Sequence, residues 1–204
     1  MTNIDSLMRL SPVVPVLIID EPASARPIAE ALVAGRLRVL EVTLRTPAAL
    51  DVIREMRRVE GAVVGAGTVL NERQLDQSLE AGAEFIVSPG ITAPLARAAI
   101  DRRVPFLPGV SSASEIMVGL DHGLTRFKFF PAEASGGTKA LKAIAAPFGD
   151  VRFCPTGGIT QATAEEWLAI PGVLCVGGSW LVPRGPADPA AIRTAAREAA
   201  QLGR

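Results

Sequence analysis

Short runs of β-branched and other apolar residues recur roughly every 20 to 25 residues, and this repeat constrains the fold more than any other feature of the sequence. The runs predict strands at residues 13–19, 39–44, 63–67, 85–87, 105–107, 127–130, 152–154 and 174–176. Stretches rich in Ala, Leu, Arg and Glu separate them and predict helices at residues 23–34, 47–59, 72–81, 94–102, 113–121, 137–148, 162–170 and 189–202. Continuously apolar strands that alternate with helices indicate a parallel sheet covered by helices.

Eight such strand–helix units favour an α/β fold in which the sheet closes into a (β/α)8 TIM barrel. An open, doubly wound sheet built from the same elements is the alternative. Special residues follow several different strands rather than one glycine-rich first turn, which favours the barrel. No linker or low-complexity tract interrupts the repeat, so we expect a single domain, residues 1–204.

The charge balance limits the possible partners. The chain is 49% hydrophobic and 21% charged, and its net charge is zero. Without a basic field we expect it to bind neither nucleic acid nor an anionic membrane. The first eleven residues lack the apolar core of a signal peptide, and the run at residues 13–19 is too short to span a bilayer. These observations predict a cytoplasmic protein.

Neither cysteine has a partner at a recognisable spacing. Cys154 and Cys175 lie in apolar segments without a CxxC or Cys/His pattern, which predicts buried thiols rather than a disulfide or a metal site. No other constellation of metal ligands is visible, so we expect no metal cofactor.

Lys128 is the most unusual residue of the sequence. The chain has three lysines against eighteen arginines, and Lys128 is the one placed among phenylalanines. Side chains alternate between the two faces of a strand, so the outward face of this strand would carry Phe127 and Phe129, and Lys128 would point into the barrel. Burial disfavours the charged form of a lysine, and a neutral amine can attack a carbonyl to form a Schiff base. A structural lysine paired with a carboxylate is the alternative.

The second predicted strand carries a carboxylate by the same alternation. Glu41 and Thr43 would face inward, and an inward Glu41 beside a lysine is either a structural ion pair or a proton shuttle. Both interpretations remain open from these residues alone. Arg45 follows at the strand end, where the active sites of barrels lie, and its planar fork suits a carboxylate or a phosphate.

Glycines follow three of the predicted strands. The third ends in Gly65-Ala66-Gly67-Thr68, the seventh in Pro155-Thr156-Gly157-Gly158 and the eighth in Gly177-Gly178-Ser179. Glycines allow backbone N–H groups to point at an anion, and the loops after the last two strands are the usual phosphate site of a barrel. The pair of turns therefore predicts that a phosphate is bound there.

Four other residues have ordinary explanations. His122 is expected at the C-terminal end of a helix, where the dipole favours a cation. Glu133 fits either a supporting position near the site or a helix N-terminus. The two tryptophans, Trp167 and Trp180, are expected to pack against helices or a neighbouring subunit.

As a set, these motifs resemble the 2-keto-3-deoxy-6-phosphogluconate (KDPG) and 4-hydroxy-2-oxoglutarate aldolase family. The similarity spans nearly the whole chain in order, and the lysine segment is its most specific part. The matching segments are Glu41-Val42-Thr43-Leu44-Arg45-Thr46, Gly65-Ala66-Gly67-Thr68, Ser88-Pro89-Gly90, Pro108-Gly109-Val110, Phe127-Lys128-Phe129-Phe130-Pro131-Ala132-Glu133, Pro155-Thr156-Gly157-Gly158 and Gly177-Gly178-Ser179-Trp180.

The resemblance implies a class I, metal-independent lyase of the Entner–Doudoroff pathway, on a trimeric (β/α)8 barrel. It would cleave KDPG to pyruvate and glyceraldehyde 3-phosphate. Relatives also cleave 4-hydroxy-2-oxoglutarate, and a galactonate-series relative takes the C4 epimer. The polar Thr156, where that relative is aliphatic, favours the gluconate series.

The resemblance also implies a role for each site residue. Lys128 would form the Schiff base and Glu41 would be the general acid and base. The remaining assignments are Arg45 and Thr68 to the pyruvyl carboxylate, Gly157, Gly158, Gly178 and Ser179 to the phosphate, Thr156 to a substrate hydroxyl, and Phe130 and Pro89 to the pocket wall.

Two competing functions fit parts of the pattern. A deoxyribose-phosphate-type aldolase would use an aldehyde donor, which has no carboxylate for Arg45 to bind. A non-catalytic phospho-sugar-binding barrel would keep the glycine turns but would not need an inward lysine and glutamate together.

Overall fold

The computed structural model describes residues 3–203, which form an α/β fold with a curled parallel sheet. The strands are β1 (Val13–Leu17), β2 (Val39–Thr43), β3 (Val63–Gly67), β4 (Phe85–Val87), β5 (Phe106–Leu107), β6 (Gly109–Val110), β7 (Arg126–Phe129), β8 (Arg152–Pro155) and β9 (Val176–Gly178). The helices are α1 (Ile4–Met8), α2 (Ala25–Ala34), α3 (Ala49–Met56), α4 (Glu72–Ala81), α5 (Ala93–Asp101), α6 (Ala113–Asp121), α7 (Gly137–Ala145), α8 (Ala164–Leu168) and α9 (Pro189–Ala199). A single 3₁₀ turn, Pro22–Ser24, leads into α2.

Every strand pairing among the described residues is parallel. One sheet has the order β5-β4-β3-β2-β1-β9 and the other β6-β7-β8. Strands β5 and β6 are separated by a single residue, Pro108. Proline interrupts the strand because it has no backbone N–H to donate to a neighbouring strand. At the other junction, single bridges pair Phe153 with Val173 and Thr156 with Gly177. The two sheets therefore adjoin at both of their edges.

The observed elements follow the predicted repeat, although most of their ends differ from the predicted ones by one to three residues. Three further differences concern particular elements. The fifth strand continues after Pro108 as β6, and the last strand lies two residues later than predicted, at Val176–Gly178. Helix α1 was not predicted; Asn3 caps it by accepting a hydrogen bond from the Ser6 N–H at 2.8 Å. The last strand is shifted because Gly177 and Gly178 pair with Val14 and Pro15 instead of forming a turn.

The inward and outward faces of the strands are as predicted. Phe127 and Phe129 are fully buried in the large core between the strands and the outer helices, where Phe129 lies 6.3 Å from Trp167, centroid to centroid. A smaller cluster contains Leu7 and Met8 of α1, with Val39 from the strand face that also carries Glu41. Helix α1 thus contributes to the inner layer of apolar residues beside Glu41.

None of the helices formed by residues 3–203 has the length and apolar character needed to cross a membrane.

Candidate active site

Lys128 and Glu41 form a buried ion pair inside the curled sheet. Lys128 Nζ lies 3.0 Å from Glu41 Oε1, and the two residues are only 5% and 3% exposed. They come from β7 and β2, which are not neighbours in either sheet, so the curvature of the sheet brings them together. Two charges removed from water are tolerated only when each compensates the other, so loss of either partner is costly.

Gly67 and Phe130 shape the space around this pair. A Cβ added to Gly67, the last residue of β3, would overlap the Glu41 carboxylate, so only glycine leaves room for it. The Phe130 ring lies 5.3 Å from Lys128 Nζ and offers its π face to the ammonium group. The pair therefore has the Phe130 ring on one side and the backbone of Gly67 on another.

Two threonine hydroxyls fix the segment that carries Arg45. Thr43 Oγ1 donates to the carbonyl of Leu17 at 2.9 Å, and Thr46 Oγ1 donates to the carbonyl of Ile19 at 2.8 Å. Arg45 lies between the two threonines and is exposed. Within the described part of the chain its guanidinium forms no ion pair, so it is available to an anionic ligand.

Thr68 directly follows β3 in an unusual backbone conformation. Its φ is 61°, in the left-handed region that a β-branched residue rarely adopts. Such strain, of order 1–3 kcal/mol, persists only where the surroundings enforce it, and it is concentrated at functional sites. Thr68 lies directly beyond the end of β3, as Arg45 lies beyond the end of β2.

The turn after β8 is held by backbone hydrogen bonds to the loop after β7. The Ala132 N–H donates to the Thr156 carbonyl at 2.8 Å, and the Glu133 N–H donates to the Gly157 carbonyl at 3.0 Å. In a trans peptide the N–H points opposite to the carbonyl, so the amides of Gly157 and Gly158 point away from the loop after β7. The Gly158 amide has no acceptor within residues 3–203, and the φ values of both glycines, 108° and 81°, require glycine.

The last strand places two further residues beside this turn. The Thr156–Gly177 bridge holds the end of β9 next to the end of β8. Gly178 is the final residue of β9 and is covered by the Trp180 ring, and the exposed Ser179 follows it. An anion between the two strand ends would meet backbone N–H groups and one hydroxyl.

The other predicted residues also lie at strand ends. Pro89 comes two residues after β4, and its carbonyl packs so tightly against Gly109 that a side chain there would not fit. Thr156 is buried, and its Oγ1 lies 3.9 Å from the sulfur of Cys154. Because all the strand pairings are parallel, the carboxyl ends of the strands lie on the same side of the sheets, where these residues are found.

Both cysteines are free and buried, as predicted. A hydrogen bond with Cys154 and burial together raise the pKa of the Cys175 thiol well above its usual range. His122 is the C-terminal cap of α6, also as predicted. Within residues 3–203 no three His, Cys, Asp or Glu side chains converge as a metal-ligand set.

Three features of the site were not predicted from the sequence. They are the close approach of Gly67 to Glu41, the left-handed Thr68, and a hydrogen bond from Trp167 Nε1 to Glu133 Oε1 at 3.1 Å. Glycine at the end of a strand was a visible signal for the first. The other two depend on contacts between distant segments and have no local signature.

Comparison with known proteins identifies the family. The model of the KDPG and KHG aldolase family matches residues 4–194. The structure of the 2-keto-3-deoxy-6-phosphogluconate aldolase of Zymomonas mobilis ZM4 with 3-phosphoglycerate superposes with a TM-score of 0.96. It is 60% identical, and the match covers 98% of this chain and 95% of that one. The KHG/KDPG aldolase of Escherichia coli K12 is 57% identical over 183 residues, 89% of this chain and 86% of that protein.

A third relative shows a covalent intermediate. The KDPG aldolase of Legionella pneumophila, with pyruvate captured as a carbinolamine, is 44% identical and has a TM-score of 0.94. The match covers 98% of this chain and 99% of that one. On these grounds the chain belongs to the KDPG and KHG aldolase family.

Proposed function

We propose that this chain is a Schiff-base aldolase that cleaves 2-keto-3-deoxy-6-phosphogluconate to pyruvate and glyceraldehyde 3-phosphate. The observation that carries the proposal is the buried pair of Lys128 and Glu41, 3.0 Å apart beneath a rim of anion-binding groups. The names of the relatives support it, as does the carbinolamine of the Legionella pneumophila enzyme.

Substrate binding follows from the distribution of charge around the pair. Arg45 and Thr68 hold the carboxylate next to the keto group, since Arg45 has no competing ion pair among the described residues. The amides of Gly157 and Gly158, with Gly178 and the Ser179 hydroxyl, hold the phosphate. Phe130 and Pro89 line the pocket between the two ends, and Thr156 contacts a substrate hydroxyl.

The reaction begins when Glu41, hydrogen-bonded to Nζ, takes a proton from the Lys128 ammonium group. The neutral amine then adds to the keto carbon, a second proton passes from the nitrogen to the carbonyl oxygen, and a carbinolamine forms. Glu41 returns the proton to the departing hydroxyl, water leaves, and an iminium forms. The iminium is the electron sink for bond cleavage, so the chemistry calls for no metal.

Cleavage uses the same two groups. Glu41 removes the proton of the C4 hydroxyl, the C3–C4 bond breaks, and its electrons move into the iminium to give an enamine. Glyceraldehyde 3-phosphate leaves as the aldehyde. Protonation of the enamine at C3 and hydrolysis of the iminium then release pyruvate and restore the lysine.

A product assay tests this function. The protein is incubated with KDPG in the presence of a chelator, and pyruvate and glyceraldehyde 3-phosphate are measured separately. We expect equal amounts of both products and no effect of the chelator. Release of neither product would contradict the proposal, and release that stops with the chelator would contradict the Schiff-base route.

The range of substrates requires a parallel assay. Cleavage of 4-hydroxy-2-oxoglutarate is part of the proposal, because a relative bears the name KHG/KDPG aldolase. The polar Thr156 favours the gluconate series over its C4 epimer, so we expect Thr156→Val to reduce the preference for KDPG. Cleavage rates for both epimers and for 4-hydroxy-2-oxoglutarate measure these preferences side by side.

The proposal extends to the architecture of the enzyme. We propose one domain in which the two adjoining sheets form a single closed (β/α)8 TIM barrel, with β5 and β6 as one strand interrupted at Pro108.

A homotrimer fits the exposed apolar side chains of Leu70 and Met117, which a neighbouring subunit would cover. A phosphorylated substrate does not cross membranes unaided, which supports a cytoplasmic location, and the neutral net charge fits an enzyme without nucleic-acid or membrane partners. Light scattering of the purified protein measures the number of subunits.

A further inference from the structure

Glu133 connects the loop after the lysine strand to the glycine turn after β8. Its backbone N–H donates to the Gly157 carbonyl at 3.0 Å. Its side chain crosses Gly158 so closely that a Cβ on that glycine would lie 2.6 Å from Glu133 Cγ. Main chain and side chain of one residue thus hold both glycines of the turn.

Trp167 anchors the far end of the Glu133 side chain. The Trp167 Nε1 donates to Glu133 Oε1 at 3.1 Å, and the indole is almost fully buried in the outer core against Phe129. Helix α8 is therefore a fixed support to which the carboxylate is tied. Since Phe129 is adjacent to Lys128 in β7, the same packing links the turn to the strand of the reactive lysine.

The turn depends on these external contacts for its shape. Gly157 and Gly158 have no side chains of their own to pack, and glycine has the widest conformational freedom of any residue. We propose that Glu133 is a positioning residue that holds the Gly157–Gly158 amides in place for the phosphate of the substrate. This inference rests on the proposed function.

Because Glu133 is negatively charged, a positioning role and a purely electrostatic role predict opposite changes in phosphate binding when it is replaced. A carboxylate near a phosphate site repels the ligand if it acts only as a charge, so its removal would strengthen binding. Here one carboxylate oxygen is held by Trp167, and the other lies near Gly137 at the start of α7, where the helix dipole stabilises an anion. We therefore expect the loss of its contacts to weaken phosphate binding instead.

A matched pair of aldehydes isolates the phosphate. Aldol addition of pyruvate is measured with D-glyceraldehyde 3-phosphate and with D-glyceraldehyde, which differ only in that group. We expect Glu133→Ala and Trp167→Phe to raise the KM of the phosphorylated aldehyde about tenfold, as for the loss of one hydrogen bond to a charged group. The KM of the unphosphorylated aldehyde should change little.

Two further variants serve as controls. Glu133→Gln keeps an acceptor for the Trp167 N–H and should stay within about threefold of the wild-type KM for both aldehydes. Glu166→Ala removes an exposed carboxylate from α8 without touching the turn, and should leave both KM values unchanged.

Three outcomes would overturn the inference. A lower KM for the phosphorylated aldehyde in Glu133→Ala would mean that Glu133 acts only as a repulsive charge. Equal losses with both aldehydes would indicate general damage to the fold, and no loss with either would show that the turn needs no support.

Trapping of pyruvate on Lys128 with borohydride, applied to every variant, separates this inference from the proposed function. If the wild type forms no adduct, both fail. If all variants form the adduct and the preference for the phosphorylated aldehyde is unchanged, only the role of Glu133 fails.

Discussion

A single methyl group added at Gly67 should disable the reaction although no catalytic residue is replaced. The new Cβ would overlap Glu41 Oε1 and lie 2.6 Å from Glu41 Cγ, where ordinary contact begins at 3.4 Å. The backbone of Gly67 has an ordinary φ, so alanine fits the strand itself. The conflict therefore falls on the Glu41 side chain.

The size of the effect follows from the displacement. The carboxylate has to move by roughly 1 Å, and a misplacement of that size costs about 10²-fold in rate. The Nζ–Oε1 contact of 3.0 Å would lengthen beyond hydrogen-bonding distance. Overpacking of the interior should also lower the free energy of unfolding by about 1–3 kcal/mol.

Cleavage of KDPG and deuterium exchange at C3 of pyruvate measure this prediction, and urea unfolding measures the stability. Gly149→Ala is the matched control, because a Cβ there meets nothing within 4 Å. We expect the control to match the wild type in all three measurements. If Gly67→Ala retained cleavage within about threefold of the wild type, a fixed position of Glu41 would not be required, and the proton-transfer role would be refuted.

Three further predictions concern titratable groups. Glu41→Gln should slow pyruvate proton exchange by roughly 10² or more, and unchanged exchange would leave Glu41 as a structural partner only. The pKa of Asp5 is lowered mainly by its hydrogen bond from Arg9, so its contribution to stability is present above the unfolded pKa and disappears as pH falls through the folded pKa. Asp5→Asn should therefore destabilise the protein near pH 7 in urea unfolding but have little effect in strong acid; an equal effect at both would be inconsistent with this linkage. Because the hydrogen bond with Cys154 and burial raise the pKa of Cys175, that thiol should resist alkylation in the native protein at pH 7 and react after unfolding, as measured by peptide mass spectrometry.

Much of the fold was predictable because local patterns and tertiary structure agree. Strand Val63–Gly67 and helices Glu72–Ala81 and Ala113–Asp121 have the predicted bounds. Their apolar spacing matches their burial, and caps or glycines mark their ends. The prediction was wrong where pairing between distant strands overrides local preference, as at Gly177 and Gly178, which form a strand although glycine disfavours one.

The contact between Lys128 and Glu41 was predictable from the sequence, but the contacts that surround it were not. Strand alternation alone aimed Lys128 and Glu41 inward, and they meet at 3.0 Å. The hydrogen bond between Trp167 and Glu133 joins residues 34 positions apart, and no local pattern signals such a contact. The left-handed Thr68 lies between Gly67 and Val69, which are hydrogen-bonded to Leu44 and Val87, whereas its own side chain disfavours that conformation.

Trapping of the covalent intermediate tests the central claim most directly. The protein is incubated with pyruvate and borohydride, digested, and the reduced adduct is located by mass spectrometry, with acetaldehyde as a parallel donor. We predict a reduced pyruvyl group on Lys128, and none on Lys139 or Lys142. No adduct with pyruvate would contradict the account, and an adduct from acetaldehyde but not from pyruvate would favour an aldolase with an aldehyde donor.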